Sequence, residues 1–203
     1  MFLFAFTIFL SAFLLFQVEL IIAKYILPWF GGVPAVWTTC MLFFQVLLTG
    51  GYAYAHILAT RFAPGRQRNL HVMLLAASII VLGFQLAFWP APILPDPSWK
   101  PASSYFPIPR ILGLLTISIG LPFLLLSSTS SLAQSWFSRR YPGRSPYWLY
   151  ALSNAGSLLG LLSYPFLVEP NLTLRMQGSL WGCGFVLLAI CFGLCGVLAA
   201  LLL

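Results

Sequence analysis

The stretch that decides the fold is Met1-Phe-Leu-Phe-Ala-Phe-Thr-Ile-Phe-Leu-Ser-Ala-Phe-Leu-Leu-Phe-Gln-Val-Glu19-Leu-Ile-Ile-Ala-Lys24-Tyr-Ile26. It is an apolar run long enough to cross a hydrocarbon core of about 30 Å, which takes about 20 helical residues. It carries no basic segment before its apolar part and continues past any cleavage site into Glu19 and Lys24, so it reads as a retained first helix and not a signal peptide. Glu19 stands out within it. An ionisable group at bilayer depth costs roughly 2.5–3.5 kcal/mol on insertion scales, so such a residue faces a protein interior or a wet cavity and is a functional suspect.

The rest of the chain has the same character. Of 203 residues 61% are hydrophobic and 6% charged, with a mean hydropathy of +0.96, whereas soluble domains carry about 25% charged residues. Six apolar stretches are apparent, at about 3–27, 34–59, 70–90, 109–136, 147–168 and 178–202. They predict an all-α, polytopic membrane protein: one six-helix transmembrane domain over 1–203, with no room for a soluble domain. Pro28, Gly31, Gly32 and Pro34 divide the first two spans into a tight hairpin.

Arg61, Arg66, Arg68, Arg139, Arg140 and Arg144 fall in two loops on one side. Lys24, Lys100, Arg110 and Arg175 lie on the other, diluted by Asp96 and Glu169. The positive-inside rule makes the first side, and both termini, cytoplasmic. Dispersed in loops, the net charge of +7 reports topology and no nucleic-acid partner. Trp29, Trp37, Trp89, Trp99 and Trp181 read as an outer aromatic belt, Trp136 and Trp148 as an inner one. Seven prolines between Pro90 and Pro109 exclude a helix there. The segment reads as a stiff connector, resting on the bundle through Trp99, Tyr105 and Phe106, or as a lid; the connector needs no ligand to explain it.

Counting helical rise from the outer ends places Glu19 and Gln45 near the midplane, and Asn154 about 11 Å up from the cytoplasmic end of the fifth span. These three form the candidate substrate or proton site, with Gln17 closer to the cytoplasm. For Gln45 and Asn154 the plainer role is an interhelical hydrogen bond near 0.6 kcal/mol; for Glu19 function and structure stand level. Lys24 lies about 140° around the helix from Glu19, too far for a bridge, and is expected to reach the outer interface. His56 is expected at the cytoplasmic interface.

Gly156-Ser-Leu-Leu-Gly160 and Gly178-Ser-Leu-Trp-Gly182 are small-residue faces for helix packing, within the chain or with another. Ser127-Ser-Thr-Ser-Ser131 is expected to bond back to its own helix, with a bend helped by Pro122. Cys40, Cys183, Cys191 and Cys195 lack metal or disulfide spacing and read as packing residues. No nucleotide loop, zinc set or serine-histidine-acid arrangement is present, so no catalytic residue, metal or cofactor is expected.

Leu27-Pro-Trp-Phe-Gly-Gly-Val-Pro-Ala-Val-Trp37-Thr-Thr-Cys-Met-Leu-Phe-Phe-Gln45 with Gly50-Gly-Tyr-Ala-Tyr-Ala-His56, then Leu124 to Phe137, then Pro146 to Pro170, follow in order a pattern that resembles the amino-terminal membrane region of the fused major-facilitator/spermidine-synthase-like proteins of bacteria. The resemblance implies a multi-pass protein of the bacterial inner membrane. It also implies further helices and a cytoplasmic aminopropyltransferase-like domain, which this sequence does not include, so no catalysis is expected of it. Two functions follow. One is a transport-like module for small solutes such as polyamines, with a homodimer or another subunit supplying a second half. The other is a non-catalytic subunit of a larger membrane complex, energy-converting or photosynthetic for example, or an anchor for a separate synthase-like enzyme.

Overall fold

The structure, a computed structural model, describes residues 1–31, 33–100 and 107–200. It is an all-α bundle of six helices long and apolar enough to cross a membrane: α1 Phe2–Phe30, α2 Pro34–Arg61, α3 Pro64–Phe88, α4 Pro107–Arg140, α5 Tyr147–Asn171 and α6 Leu174–Ala200. Proline opens α2, α3 and α4, where its missing N–H costs nothing. Gly31 ends α1 at φ +83°, a conformation only glycine takes freely. The expected positions of Tyr105, Phe106 and residues 201–203 lie outside the described residues.

α1 and α4 form the centre. The most apolar stretch of α4 is 67% buried and that of α5 17%. α1 packs on α4, α5 and α6, α2 packs on α4, and α3 packs on α6. The N-terminal ammonium reaches Tyr141 Oη at 3.3 Å, which places the amino terminus on the arginine-rich face.

Packing follows the small residues. A Cβ on Gly156 would come within 2.6 Å of the Phe9 carbonyl oxygen and one on Gly160 within 2.9 Å of that of Phe13, so α5 lies backbone against backbone on α1. Gly178 and Gly182 behave differently from the expected helix contact: they seat the connector, with Ala91 and Leu94 against Gly178 and Pro92 against Gly182. Ala91 to Pro95 are all buried, and Tyr25 donates to the Pro95 carbonyl at 2.9 Å. The connector is thus a plug tucked into the end of the bundle opposite the arginine-rich loops, here called the outer end, followed by a short turn, Pro97–Trp99.

Two tryptophans leave the belts that sequence position suggests. Trp181 is buried and donates to the Leu14 carbonyl at 2.8 Å, and Trp136 is buried and donates to Gln67 Oε1 at 3.0 Å. Both indole N–H groups are spent joining helices, as burial of that donor demands. Trp29, Trp37, Trp89, Trp99 and Trp148 stay peripheral.

Wide turns interrupt α4 at Thr116–Gly120 and α5 at Tyr164–Val168, each two residues before a proline, Pro122 and Pro170. A proline ring clashes with the carbonyl four residues back, and a wide turn moves that carbonyl aside. Beyond it, Ser127, Ser128 and Thr129 bond back to the carbonyls of Leu124, Leu125 and Leu125 at 2.7–2.9 Å.

Candidate functional site

Glu19 is half-buried on α1 and has no hydrogen bond or ion pair among the described residues. It lies about 140° around α1 from Leu14, whose side chain touches α6 at Gly184, so the carboxylate is turned away from α6. On α2, Gln45 lies nine residues from Tyr54, about 180° around the helix. Tyr54 faces α3, where its hydroxyl meets His71. Gln45 is therefore turned away from α3, and it is exposed. α3 and α6 pack together, and Glu19 is turned away from α6 and Gln45 away from α3.

The depths correct the expected three-residue cluster. Glu19 and Gln45 are each eleven residues from the outer ends of their helices, about 16 Å down, and share a level. Asn154 does not join them. Gly156 sits on Phe9 and Gly160 on Phe13, so Asn154 is level with Thr7, about 18 Å from Glu19 toward the arginine-rich face, and it is exposed. Gln17 is buried on another flank, donating to the Gly160 carbonyl at 2.8 Å and Ser163 Oγ at 2.9 Å. His56 is exposed.

A second polar region escapes the reading of the sequence. The six buried residues of α3 are Gln67, His71, Leu75, Ser78, Leu82 and Gln85, and four of them are polar. Their steps of four, four, three, four and three residues make a single stripe facing inward. His71, fully buried, has Nδ1 3.3 Å from Tyr54 Oη and Nε2 3.4 Å from Thr129 Oγ1, joining α2, α3 and α4, and its ring lies 4.6 Å from that of Phe192. Thr129 gives its own proton to Leu125, so it accepts from His71 Nε2–H, and Nδ1 accepts from Tyr54. Gln67 donates to the Phe62 carbonyl at 2.6 Å. Higher up, Gln85 Nε2 donates to the Ile117 carbonyl at 2.6 Å. The signal was present in the stripe itself, but a helix begun at residue 70 hides Gln67 and the pattern with it.

The other acid near a span, Glu169, is paired: Lys24 Nζ lies 2.6 Å from its Oε1. Among the described residues no group of three or more histidines, cysteines, aspartates or glutamates is placed to hold a metal. Cys40, Cys191 and Cys195 are buried, whereas Cys183, expected in packing, is exposed along a lateral apolar groove with Ile79, Leu82, Leu86 and Val186. No family model, curated protein or solved structure matches the chain.

Proposed function

We propose that this chain is a transporter-like, solute-handling module of a membrane, acting on small amines such as polyamines and without catalysis of its own. Glu19 carries the reading. It is a carboxylate about 16 Å from the outer end of its helix, turned away from α6, with no cation bonded to it among the described residues, while the one lysine of its helix is committed to Glu169. A negative charge held there attracts a protonated amine or takes up a proton, and in low dielectric either interaction is strong. The resemblance to the fused bacterial proteins points the same way and suggests the inner membrane, with a second copy of the chain or another subunit supplying a second half.

The test is uptake of labelled diamines and polyamines by proteoliposomes. Saturable uptake that falls by roughly tenfold or more in Glu19→Gln, with an unchanged melting temperature, supports the reading. Uptake no greater than in empty vesicles, or equal in the variant, removes it.

One observation favours a packing subunit instead. Thr38, Gln45, Thr49, Tyr52, His56 and Thr60 are exposed on α2, and an uncharged polar flank of this kind suits contact with another membrane protein more than contact with acyl chains. Constant co-migration with other polypeptides after gentle solubilisation would support that alternative.

A further inference from the structure

α5 and α6 both lie along α1 and are joined at their outer ends by the turn at Leu172 and Thr173. Between them is a cavity of about 180 Å³, with Phe13 and Gln17 of α1 as its floor, Val168 and Leu172 on one wall, and Leu180 and Trp181 of α6 on the other. Among the described residues no charged side chain lines it. Its polar feature is Gln17, which is 3% exposed. Nε2 spends its two protons on the Gly160 carbonyl at 2.8 Å and Ser163 Oγ at 2.9 Å. The Gly160 carbonyl can only accept, and that fixes which end of the amide faces α5. Oε1 is left without a donor among the described residues, and unlike the partnerless oxygens of Ser78, Gln85 and Ser118 it is not sealed from the space beside it. Gln177, the other amide of the wall, is engaged at both ends: Oε1 accepts from Tyr164 at 3.2 Å, and Nε2 donates to the Leu172 carbonyl at 2.9 Å. One acceptor therefore faces an otherwise apolar cavity.

We propose that this cavity binds a neutral single-ring phenol, its hydroxyl donating to Gln17 Oε1 and its ring lying against Phe13 and Trp181. An apolar cavity of about 150 Å³ admits a benzene ring, so the space takes one ring and little more. A protonated amine would bring an unpaired charge into low dielectric, which favours a neutral donor. Gln17 is thirteen residues from the outer end of α1, roughly 20 Å down in a hydrocarbon layer of about 30 Å. At that depth the ligand arrives dissolved in the membrane and is not a lipid headgroup. Glu19, two positions on, points about 160° away around α1, and the proposal holds or fails whatever the solute handled there.

The probes are para-trifluoromethylphenol, its methyl ether and trifluoromethylbenzene, followed by fluorine NMR with the full chain in nanodiscs of zwitterionic lipid and with empty nanodiscs as the partition blank. The ether keeps the oxygen without the proton. Gln17→Met removes the acceptor, and Leu180→Trp fills the space from an exposed position.

The expected result is saturable binding of the phenol above the blank, weaker by roughly fivefold or more for the ether and for trifluoromethylbenzene. Gln17→Met should erase this preference, and Leu180→Trp should abolish binding. Equal affinity for the three probes, a hydroxyl preference unchanged in Gln17→Met, binding unaffected by Leu180→Trp, or no saturable binding overturns the proposal. Gln17 also ties α1 to α5, so melting temperatures accompany both variants. Should Gln17→Met fail to fold, the wild-type preference and its loss in Leu180→Trp, expected to melt as the wild type does, decide the question.

Discussion

The ammonium of Lys24 lies 2.6 Å from a carboxylate oxygen of Glu169, 145 residues away in sequence, and so ties the outer end of α1 to the outer end of α5. The same contact takes the lysine away from Glu19, five positions back on its own helix. Both side chains are about two-fifths exposed, at 40% and 41%, so the pair contributes modestly, about 0–1 kcal/mol. Lys24→Glu and Glu169→Lys are each expected to lower the melting temperature slightly, and the double exchange to restore it. A double-mutant cycle in thermal unfolding measures this, and the coupling should shrink with added salt.

The seat of α5 on α1 predicts a sharper effect. A methyl group on Gly156 would meet the backbone oxygen of Phe9 at 2.6 Å and the Ala12 Cβ at 3.3 Å, and a backbone atom inside a central helix cannot step aside. Gly156→Ala is expected to destabilise by about 1–3 kcal/mol, the range of overpacked interiors. Gly83→Ala, where nothing lies within 4 Å, should be neutral or stabilising by up to about 1 kcal/mol through helix propensity alone. Unfolding of the two variants side by side distinguishes steric contact from a general intolerance of substitution.

These two relationships mark how much of the molecule was legible in its sequence. Helix number followed from hydropathy and length, because a bilayer demands both of every span. The return of the serine run to its own carbonyls followed because a hydroxyl in an apolar setting has few other acceptors within reach. What escaped depends on register between helices. Asn154 counts as deep from its own helix end, yet its level relative to Glu19 is fixed by where Gly156 and Gly160 rest on Phe9 and Phe13, and no single-helix count contains that. Trp181 near a predicted boundary resembles a belt residue, and only the packed structure shows that the Leu14 carbonyl receives its N–H. The inward stripe of α3 was readable in principle, since in a membrane helix a polar face turns toward protein.

That stripe makes a prediction about His71. With Thr129 spending its proton on Leu125, the imidazole is satisfied as the neutral Nε2–H tautomer, donating to Thr129 and accepting from Tyr54. Nitrogen-15 spectra of labelled histidine are expected to show this tautomer for His71. Tyr54→Phe and Thr129→Val should each cost about 0.6 kcal/mol, the usual value for a hydrogen bond between membrane helices. Their effects should not add, because losing either partner frees the ring to reorient. Additive losses would mean that the two hydroxyls act independently of the histidine.

Gln85 predicts the strongest coupling between two helices. Within the wide turn of α4, the Ile117 carbonyl would receive its hydrogen bond from residue 122, five positions on, but Pro122 has no N–H. The Gln85 amide of α3 supplies the missing donor at 2.6 Å. Gln85→Leu then leaves that carbonyl facing an apolar side chain without a donor and should destabilise by about 1–3 kcal/mol, the cost of an unsatisfied polar group. Pro122→Ala returns an N–H at the position the carbonyl needs, so the double variant should recover most of that loss, whereas Pro122→Ala alone should change stability little. Recovery is the diagnostic result, since a glutamine that merely fills space would be missed equally in the presence of proline or alanine. Equal losses for Gln85→Leu in both backgrounds would show that the side chain serves α3 alone and does not complete α4.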